Sequence, residues 1–435
     1  MTEMRIVNLM GYLPQFSLAE RDRRWTALRE TMALHSLDCL LLWDSDRFFG
    51  MGSANLRYLT QITGQRMGGI GIFPLKGKPI VFAAPPHIHS YPYPVYQSFQ
   101  NWIEETKEMS GLYPVIEALR ERGFERANIG LVGFGGAFRS YTIPYQEYNL
   151  LSKELPHANL IEATPLLEQV RMIKSLEEIE MLKKSGQIAR MKIDAMIASC
   201  KPGVKECEVY AEMVKVDISN GGEAFIFNLL ASGSVIDTKH RQHLLHGRGQ
   251  PFSPITRVLQ EGDLIITEFH TSYGGYLTAV EKSVYIGKPP KELRRIHDVA
   301  IECFQNGIEH FRPGTKLNDI LEGFRSPVYK AKMDYIEIGF HGHGLSSPEF
   351  PAITYPPKKK KEEIGEHQRI GRESLSGEGG IESLEIRENM VFGTNIDIHD
   401  PNWRNDVGIM LGDTIWVTKD GPYRLVKTPL EFTTV

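Results

Sequence analysis

The sequence contains no long apolar run and no strong excess of charge of either sign. No segment reaches the ~18 consecutive apolar residues that a membrane-spanning helix needs, and the N-terminal MTEMRIVNLMGYLPQ lacks the basic start and apolar stretch of a signal peptide. The formal net charge is -4 and the isoelectric point is near 6.4. We therefore expect a cytoplasmic protein with neither nucleic acid nor a membrane as partner.

Cysteine is scarce, and its spacing gives no support to a thiol-based site. The four cysteines, at positions 39, 200, 207 and 303, form no CxxC pair of the kind that binds zinc or exchanges disulfides. They lie in apolar segments, where a thiol behaves as a small core residue. Reduced cysteines in a reducing compartment are the expected state.

The length and the apolar patterning indicate two domains. The chain has 435 residues, of which 41% are hydrophobic and 24% charged, as in ordinary globular proteins. A helical pattern over 19–34 precedes the apolar run CLLLW at 39–43, and further apolar runs follow at 69–73, 79–84 and 129–133. This alternation predicts a first domain of α/β type over residues 1–172.

A second domain, residues 173–435, opens with a helix start and contains an internal repeat. Ser175 and Glu178 have the spacing of a capping box. IASCKPGVKECEVYAEMV, from Ile197, is matched by IEHFRPGTKLNDILEGF, from Ile308. Each copy ends one helix, breaks at Pro-Gly and starts another, so we expect two half-domains about a pseudo-twofold axis, with a cleft between them.

The stretch from Gly262 to Gly287 reads as two antiparallel strands joined by a turn at residues 273–275. Polar side chains interrupt strands that would otherwise carry alternating apolar residues. The pattern fits either an amphipathic hairpin with one solvent-exposed face or a functional site. These side chains are Glu268, His270, Thr278 and Glu281.

Four motifs in fixed order resemble the family of creatinase, prolidase and aminopeptidase P. They are GDLIITEF with GGYLTAVEKSVYIG, FHGHGLSSPEFP, ENMVFGTN and GIMLGDTIWVTKDGP. The resemblance implies an α+β pita-bread catalytic domain, preceded by a smaller α/β domain of the creatinase N-terminal type. Residues 356–383 form a charged insertion that this family does not need, and we expect an exposed loop or a lid.

Most members of this family bind two metal ions through two Asp, one His and two Glu. The matching positions in this sequence are Glu268, Ala279, His341, Asn395 and Gly412. Hard divalent cations need several anionic oxygens, so we expect no two-metal centre and no cofactor. A single metal held by Glu268, His270 and His341, with Asp397 or His399, is the alternative that the sequence leaves open.

The metal-free creatinase branch of the family is the closest in site pattern. Thr278, Ala279, Val280 and Glu281 repeat the residue order of creatinase's second strand, whose Glu contacts substrate. The resemblance also implies a catalytic His ahead of the first strand, for which His246 is the best match and His240 and His243 are rivals. His246, Glu281 and His341 are therefore the predicted catalytic residues.

The resemblance also suggests substrate-binding positions and a homodimer. Arg66 matches an Arg that creatinase extends into the partner subunit's site, where a guanidinium can hold a carboxylate. Asn395 replaces a creatinase Glu, which argues against creatine itself as the substrate. The predicted substrate-binding set is Arg66, Glu268, His270, His343, Glu349 and Asn395.

Together these features favour a metal-independent hydrolase that cleaves a C–N bond in a small polar amide, ureide or amidine. One His can serve as both base and acid in such a reaction. Three alternatives remain at this stage. They are an Xaa-Pro peptidase-like metalloenzyme with a remodelled site, a lyase that uses the same base, and a non-catalytic protein that binds a small molecule.

Overall fold

A computed structural model describes residues 13–44, 54–62, 69–83, 100–134, 143–223, 227–249, 251–355 and 384–435. The chain divides into two compact units, Met1–Met172 and Ile173–Val435. The charged insertion at 356–383 lies outside the described residues.

The first unit alternates helices and strands. Its elements are α1 (Leu18–Leu34), β1 (Cys39–Asp44), α2 (Ala54–Thr60), β2 (Gly69–Pro74), β3 (Ile80–Ala83), β4 (Glu105–Glu108), α3 (Tyr113–Glu121), β5 (Asn128–Val132), α4 (Tyr145–Glu154), β6 (Asn159–Glu162) and α5 (Thr164–Met172). The strands form one sheet with the order β4-β3-β2-β1-β5-β6, in which β1 pairs antiparallel with β2 and parallel with β5. Apolar residues of these strands and of helix α3 form its core, so the predicted α/β alternation is confirmed.

The second unit contains two helical pairs, each followed by strands. The elements are α6 (Leu176–Ser199), α7 (Glu206–Ser219), β7 (Asn228–Ser234), β8 (Asp263–Tyr273), β9 (Tyr276–Tyr285), α8 (Lys291–Glu309), α9 (Leu317–Ala331), β10 (Asp334–Gly342), β11 (Glu349–Tyr355), β12 (Val391–His399), β13 (Ile409–Met410), β14 (Thr414–Thr418), β15 (Gly421–Arg424) and β16 (Thr433–Thr434).

The helix starts and breaks in this unit follow from local chemistry. The Ser175 hydroxyl accepts the Glu178 N–H, and the Glu178 carboxylate accepts the Ser175 N–H, which is the predicted capping box. The Pro-Gly breaks then separate α6 from α7 and α8 from α9, where Gly203 and Gly314 both have positive φ angles. The predicted duplication is therefore visible as two helical pairs.

Two sheets carry the polar strands. One has the order β16-β9-β8-β7, and the other has the order β11-β10-β12-β14-β15, with β13 alongside β12. The turn between β8 and β9 is Gly274-Gly275, with φ of 58° and 83°, and two positive φ angles are what a tight hairpin turn requires. This turn fixes the register in which Glu268 lies opposite Glu281.

Within the described residues, no helix is long and apolar enough to cross a membrane. All four cysteines carry free thiols, and three of them are buried.

Candidate active site

Two pairs of carboxylates lie directly opposite each other in the strands of the second unit. Glu268 of β8 faces Glu281 of β9, and Glu337 of β10 faces Asp397 of β12. Directly opposed like charges destabilise a sheet. The two pairs are close in space, because Glu281 accepts hydrogen bonds from Asn395 and the Ile396 N–H of β12, at 2.8 and 2.9 Å.

His246 lies among these carboxylates. It belongs to the irregular segment between β7 and β8, and its side chain is 34% exposed. Its Nδ1 is 2.6 Å from Asp397 Oδ2, and its Nε2 is 3.7 Å from Glu268 Oε2. In the tautomer that carries its proton on Nδ1, Asp397 accepts that proton and the Nε2 lone pair faces Glu268.

The surroundings of the four carboxylates favour their neutral forms. Burial raises the pKa of Glu268, Glu281 and Asp397 well above the usual range, and the neighbouring carboxylates raise each of them further. Burial raises the pKa of the partly exposed Glu337 as well. Among the described residues, no Lys or Arg side chain forms an ion pair with any of the four. A cation that entered this cluster would therefore favour the ionised forms of these carboxyl groups, with no described Lys or Arg competing for them.

Three buried histidines line the adjoining part of the site. The rings of His341 and His343 stack at 4.8 Å, and the His270 ring lies 5.6 Å from that of His343. Ser347 Oγ is 3.1 Å from His343 Nε2 and 3.4 Å from His270 Nε2. Burial lowers the pKa of His341 to about 4 and lowers the pKa values of His270 and His343 well below the usual range. These imidazoles are neutral at neutral pH.

Other residues singled out in the sequence have different surroundings. Glu349 is buried and binds Lys174 Nζ at 2.9 Å and the Ser346 N–H at 3.1 Å. His240 is exposed and pairs with Asp237, and His243 is exposed as well. Of the three candidate histidines in this segment, His246 alone contacts the carboxylates. Arg66 lies outside the described residues.

The two-metal centre of the family does not fit these residues. Ala279 has no donor side chain, and a Cβ placed on Gly412 would lie 2.2 Å from the Thr394 carbonyl oxygen. A Glu at position 412 is therefore incompatible with this backbone. Asn395 supplies an amide where a carboxylate is needed, and it donates to Glu281. Of the five positions that match the family's ligands, only Glu268 and His341 carry side chains that could bind a metal, and two ligands are too few for two hard cations.

A different set of residues could hold one cation. Donor atoms of His246, Glu337 and Asp397 all lie within 4.8 Å of one another. Among the described residues, this group shares only Asp397 with the set expected from sequence, since Glu268, His270, His341 and His399 are absent from it. One His and two carboxylates match the donor types of a single divalent site.

Comparison with protein-family models matches residues 180–419 to metallopeptidase family M24 and residues 24–173 to the creatinase/prolidase N-terminal domain. The chain belongs to metallopeptidase family M24. The family resemblance inferred from the four motifs is confirmed. Membership itself gives no support to the expected absence of a metal, because the family is one of metallopeptidases.

Relatives with assigned activities are hydrolases. An Xaa-Pro dipeptidase of Pyrococcus horikoshii is 24% identical over 332 residues, covering 76% of this chain and 79% of the relative. The ectoine hydrolase of Halomonas elongata is 24% identical over 321 residues, covering 72% of this chain and 71% of the relative. This chain is thus similar to both a dipeptidase and a hydrolase of a small compound.

Solved structures confirm the fold. A prolidase from Pyrococcus horikoshii superposes with a TM-score of 0.71 at 20% identity, covering 93% of this chain and 98% of the other. A dipeptidase from Mycobacterium ulcerans superposes with a TM-score of 0.73 at 19% identity, covering 97% and 99%. The pita-bread domain and the creatinase-type N-terminal domain are those that the motifs predict.

Sequence reasoning missed Glu337. This residue stands in DYIEIGF, where the two acidic residues are typical of the solvent-exposed side of a strand. Its role as the cross-strand partner of Asp397 depends on a register shift between Tyr335 and Glu337. Such an irregularity has no local signal here, so only the fold reveals the second carboxylate pair.

Proposed function

We propose that the second unit hydrolyses a C–N bond in a small polar substrate, with His246 as the group that takes up and returns the proton, and without the two-metal centre of the family. The observation that carries this proposal is the 2.6 Å contact between His246 Nδ1 and Asp397, with Nε2 directed toward Glu268. A histidine oriented by a carboxylate is the usual arrangement of a general base.

The steps follow from the two ring nitrogens. His246 Nε2 accepts a proton from water while the water oxygen attacks the carbon of the scissile group. Asp397 holds Nδ1–H and stabilises the imidazolium that forms. The imidazolium then gives the Nε2 proton to the leaving nitrogen as the C–N bond breaks, which restores neutral His246.

The buried acidic groups of the cluster favour a substrate that is cationic at or next to the reacting carbon, because a cation stabilises their ionised forms. Glu268, Glu281, Glu337 and Asp397 have no described Lys or Arg partner that would supply this charge. An amidinium supplies it, and its carbon is already polarised, so attack needs no Lewis acid. Glu281 is held rigidly by Asn395 and by the Ile396 N–H, and is therefore placed to orient the nitrogens of the substrate.

A cyclic amidine is the first substrate to test, because ectoine contains one and the Halomonas elongata relative is an ectoine hydrolase. Metal-stripped protein, checked by elemental analysis, would be incubated with ectoine, creatine and an Xaa-Pro dipeptide, with the products followed by NMR. We expect hydrolysis of the amidine ectoine and none of the dipeptide. An elimination product would instead indicate a lyase, and hydrolysis only after addition of a divalent metal would contradict the proposal.

The second candidate is a metal-dependent hydrolase that is active on Xaa-Pro peptides. It is favoured by the His246, Glu337 and Asp397 group, which has the donors for one divalent ion. Such an ion would polarise a carbonyl or lower the pKa of a bound water. Restoration of dipeptide hydrolysis by one Mn²⁺, Co²⁺ or Zn²⁺ per chain, lost in Glu337→Gln, would establish this candidate over the first.

We also propose a homodimer in which Arg66 contributes to the partner's site. The support is the match of Arg66 to the creatinase motif. Light scattering of the purified protein tests the dimer, and a monomer at micromolar concentration would contradict it.

A further inference from the structure

The segment that carries His246 is hydrogen-bonded to the segment that follows Asp397 through both members of an ion pair. Arg404 and Asp406 lie between β12 and β13, a few residues after Asp397. Arg404 Nε donates to Asp406 Oδ1 and Arg404 Nη2 to Asp406 Oδ2, each at 2.8 Å. This is a two-point contact, and the two side chains are only 11% and 9% exposed.

Both members of the pair also bind the backbone of the His246 segment. Arg404 Nη1 donates to the carbonyl oxygens of Val235 and Asp237, at 2.8 and 2.9 Å. Asp406 Oδ2 accepts the Gln242 N–H at 2.9 Å. The planar guanidinium of Arg404 thus binds Asp406 through Nε and Nη2 and the two backbone carbonyls through Nη1. The single ammonium group of a lysine cannot reproduce both sets of contacts.

The backbone continues this connection up to the catalytic position. The Leu244 N–H donates to the Asp406 carbonyl at 2.7 Å, and the Gly408 N–H donates to the Leu244 carbonyl at 2.7 Å. Leu244 is fully buried and stands two residues before His246. On the other side of His246, Arg248 exchanges backbone hydrogen bonds with Leu230 of β7.

We propose that the Arg404–Asp406 pair is the positioning element that holds His246 Nδ1 against Asp397. His246 lies outside any regular strand or helix, so sheet register does not fix its place. The pair acts through the 235–244 backbone, because neither Arg404 nor Asp406 contacts the His246 ring. Displacement of a proton-transferring group by about 1 Å costs on the order of 10²-fold in rate.

The first test needs no substrate. A proton held in a short bond between an imidazole nitrogen and a carboxylate resonates far downfield of the amide protons, and it can be assigned by its loss in His246→Gln. We expect the resonance in the wild type, its loss or broadening in Arg404→Lys and Asp406→Asn, and a roughly tenfold faster exchange of the Leu244 amide. An unchanged resonance and unchanged exchange in both variants would overturn the proposal.

The matched control is Arg257→Lys. Arg257 makes a similar two-point contact with Asp263 in the same unit, at 2.6 and 2.7 Å. Its loss should cost comparable global stability while leaving the downfield resonance intact. If Arg257→Lys removes the resonance as fully as Arg404→Lys does, the effect is general loosening and the positioning role is wrong.

The kinetic test rests on the proposed function. With a hydrolysed substrate in hand, Arg404→Lys should lower kcat by roughly 10- to 100-fold and change KM by less than about threefold, because ordering of the base and not binding is lost. A proportionate rise in KM with unchanged kcat would contradict the positioning role. If His246 proves not to be the base, the kinetic effect disappears, whereas the spectroscopic result still stands or falls by itself.

Discussion

Two clusters of buried ionisable groups in the described part of the second unit differ in whether a group of opposite charge compensates them. Lys192 Nζ lies 2.5 Å from Asp217 Oδ2 and 3.0 Å from the His270 carbonyl oxygen, while Thr271 donates to the other oxygen of Asp217. Every charge there has its partner. The neighbouring carboxylates of the candidate site have none among the described Lys and Arg residues.

We infer from this difference that the first cluster serves the fold and that the second serves the proposed function. The buried Lys192–Asp217 ion pair, with its further hydrogen bonds to β8, ties α6, α7 and β8 together, and removal of one partner leaves the other without a counter-charge. Two pairs of opposed, buried carboxyl groups lower stability instead, by repulsion where both are ionised and by the cost of protonation where they are not. A ligand that offsets this cost accounts for its retention, which supports the carboxylate cluster as the proposed site.

The largest effect is expected at His246. His246→Asn should reduce turnover by roughly 10²- to 10⁴-fold, the range contributed by a general acid–base group, with little change in substrate affinity. His240→Asn is the matched control, since the side chain of this exposed histidine of the same segment pairs with Asp237 and not with the carboxylate cluster. Steady-state kinetics of both variants measure the effect. Equal losses in both would remove His246 from the mechanism.

Removing one partner of the Lys192–Asp217 ion pair should cause a large loss of stability. Asp217→Asn leaves the Lys192 ammonium buried without a counter-charge and should lower the free energy of unfolding by about 3–5 kcal/mol. Denaturant unfolding measures it. The double change Lys192→Met with Asp217→Leu should recover most of the loss, and a double variant no better than the single one would show that packing, not charge, dominates.

The backbone around Gly412 should not accept a side chain at this position, where the family has a metal-binding Glu. Gly412→Ala places a Cβ against the Thr394 carbonyl oxygen, at 2.2 Å before any adjustment, and should cost about 1–3 kcal/mol of unfolding free energy. Thermal unfolding would register it. Ala279→Ser provides the control at the other position without a donor, and a Gly412→Ala variant as stable as the wild type would argue that the strand can still accept a metal ligand.

A substitution in the carboxylate cluster should raise the free energy of unfolding, whereas a substitution in the Lys192–Asp217 pair lowers it. Glu337→Gln removes one of two opposed carboxylates and should raise the free energy of unfolding by about 0.5–1 kcal/mol. Burial raises the pKa of Glu337 in the folded state, whereas in the unfolded state this carboxyl group has a pKa of about 4.5. The contribution of Glu337 to the free energy of unfolding therefore falls as the pH rises above 4.5. The gain should therefore be absent at low pH and grow toward neutral pH. A loss of stability at neutral pH would make Glu337 a structural residue.

The elements that local chemistry specifies could be predicted from the sequence. The capping box at Ser175, the two Pro-Gly breaks and the Gly274-Gly275 hairpin each follow from residues that are neighbours in the chain. The family motifs then supplied the architecture that these pieces form. His246 is also predicted from the resemblance, as the best match among three histidines of one segment.

The contacts that define the site are long-range and could not be predicted in the same way. The choice of His246 over His240 and His243 depends on Asp397, 151 residues further along the chain. Glu337 enters the site through a register shift. Lys174 forms an ion pair with Glu349, a predicted substrate-binding residue, and a solitary lysine at a helix start gives no sign of this.

The most direct test of the account is the binding of a matched pair of small ligands to metal-stripped protein by titration calorimetry. The pair consists of a cyclic amidine, cationic at neutral pH, and the neutral cyclic amide of the same shape. The account predicts that the amidine binds at least about tenfold more tightly, a difference of about 1.4 kcal/mol, and that Glu337→Gln and Glu281→Gln each reduce this preference. Equal affinities, or a preference that appears only when a divalent metal is added, would contradict it.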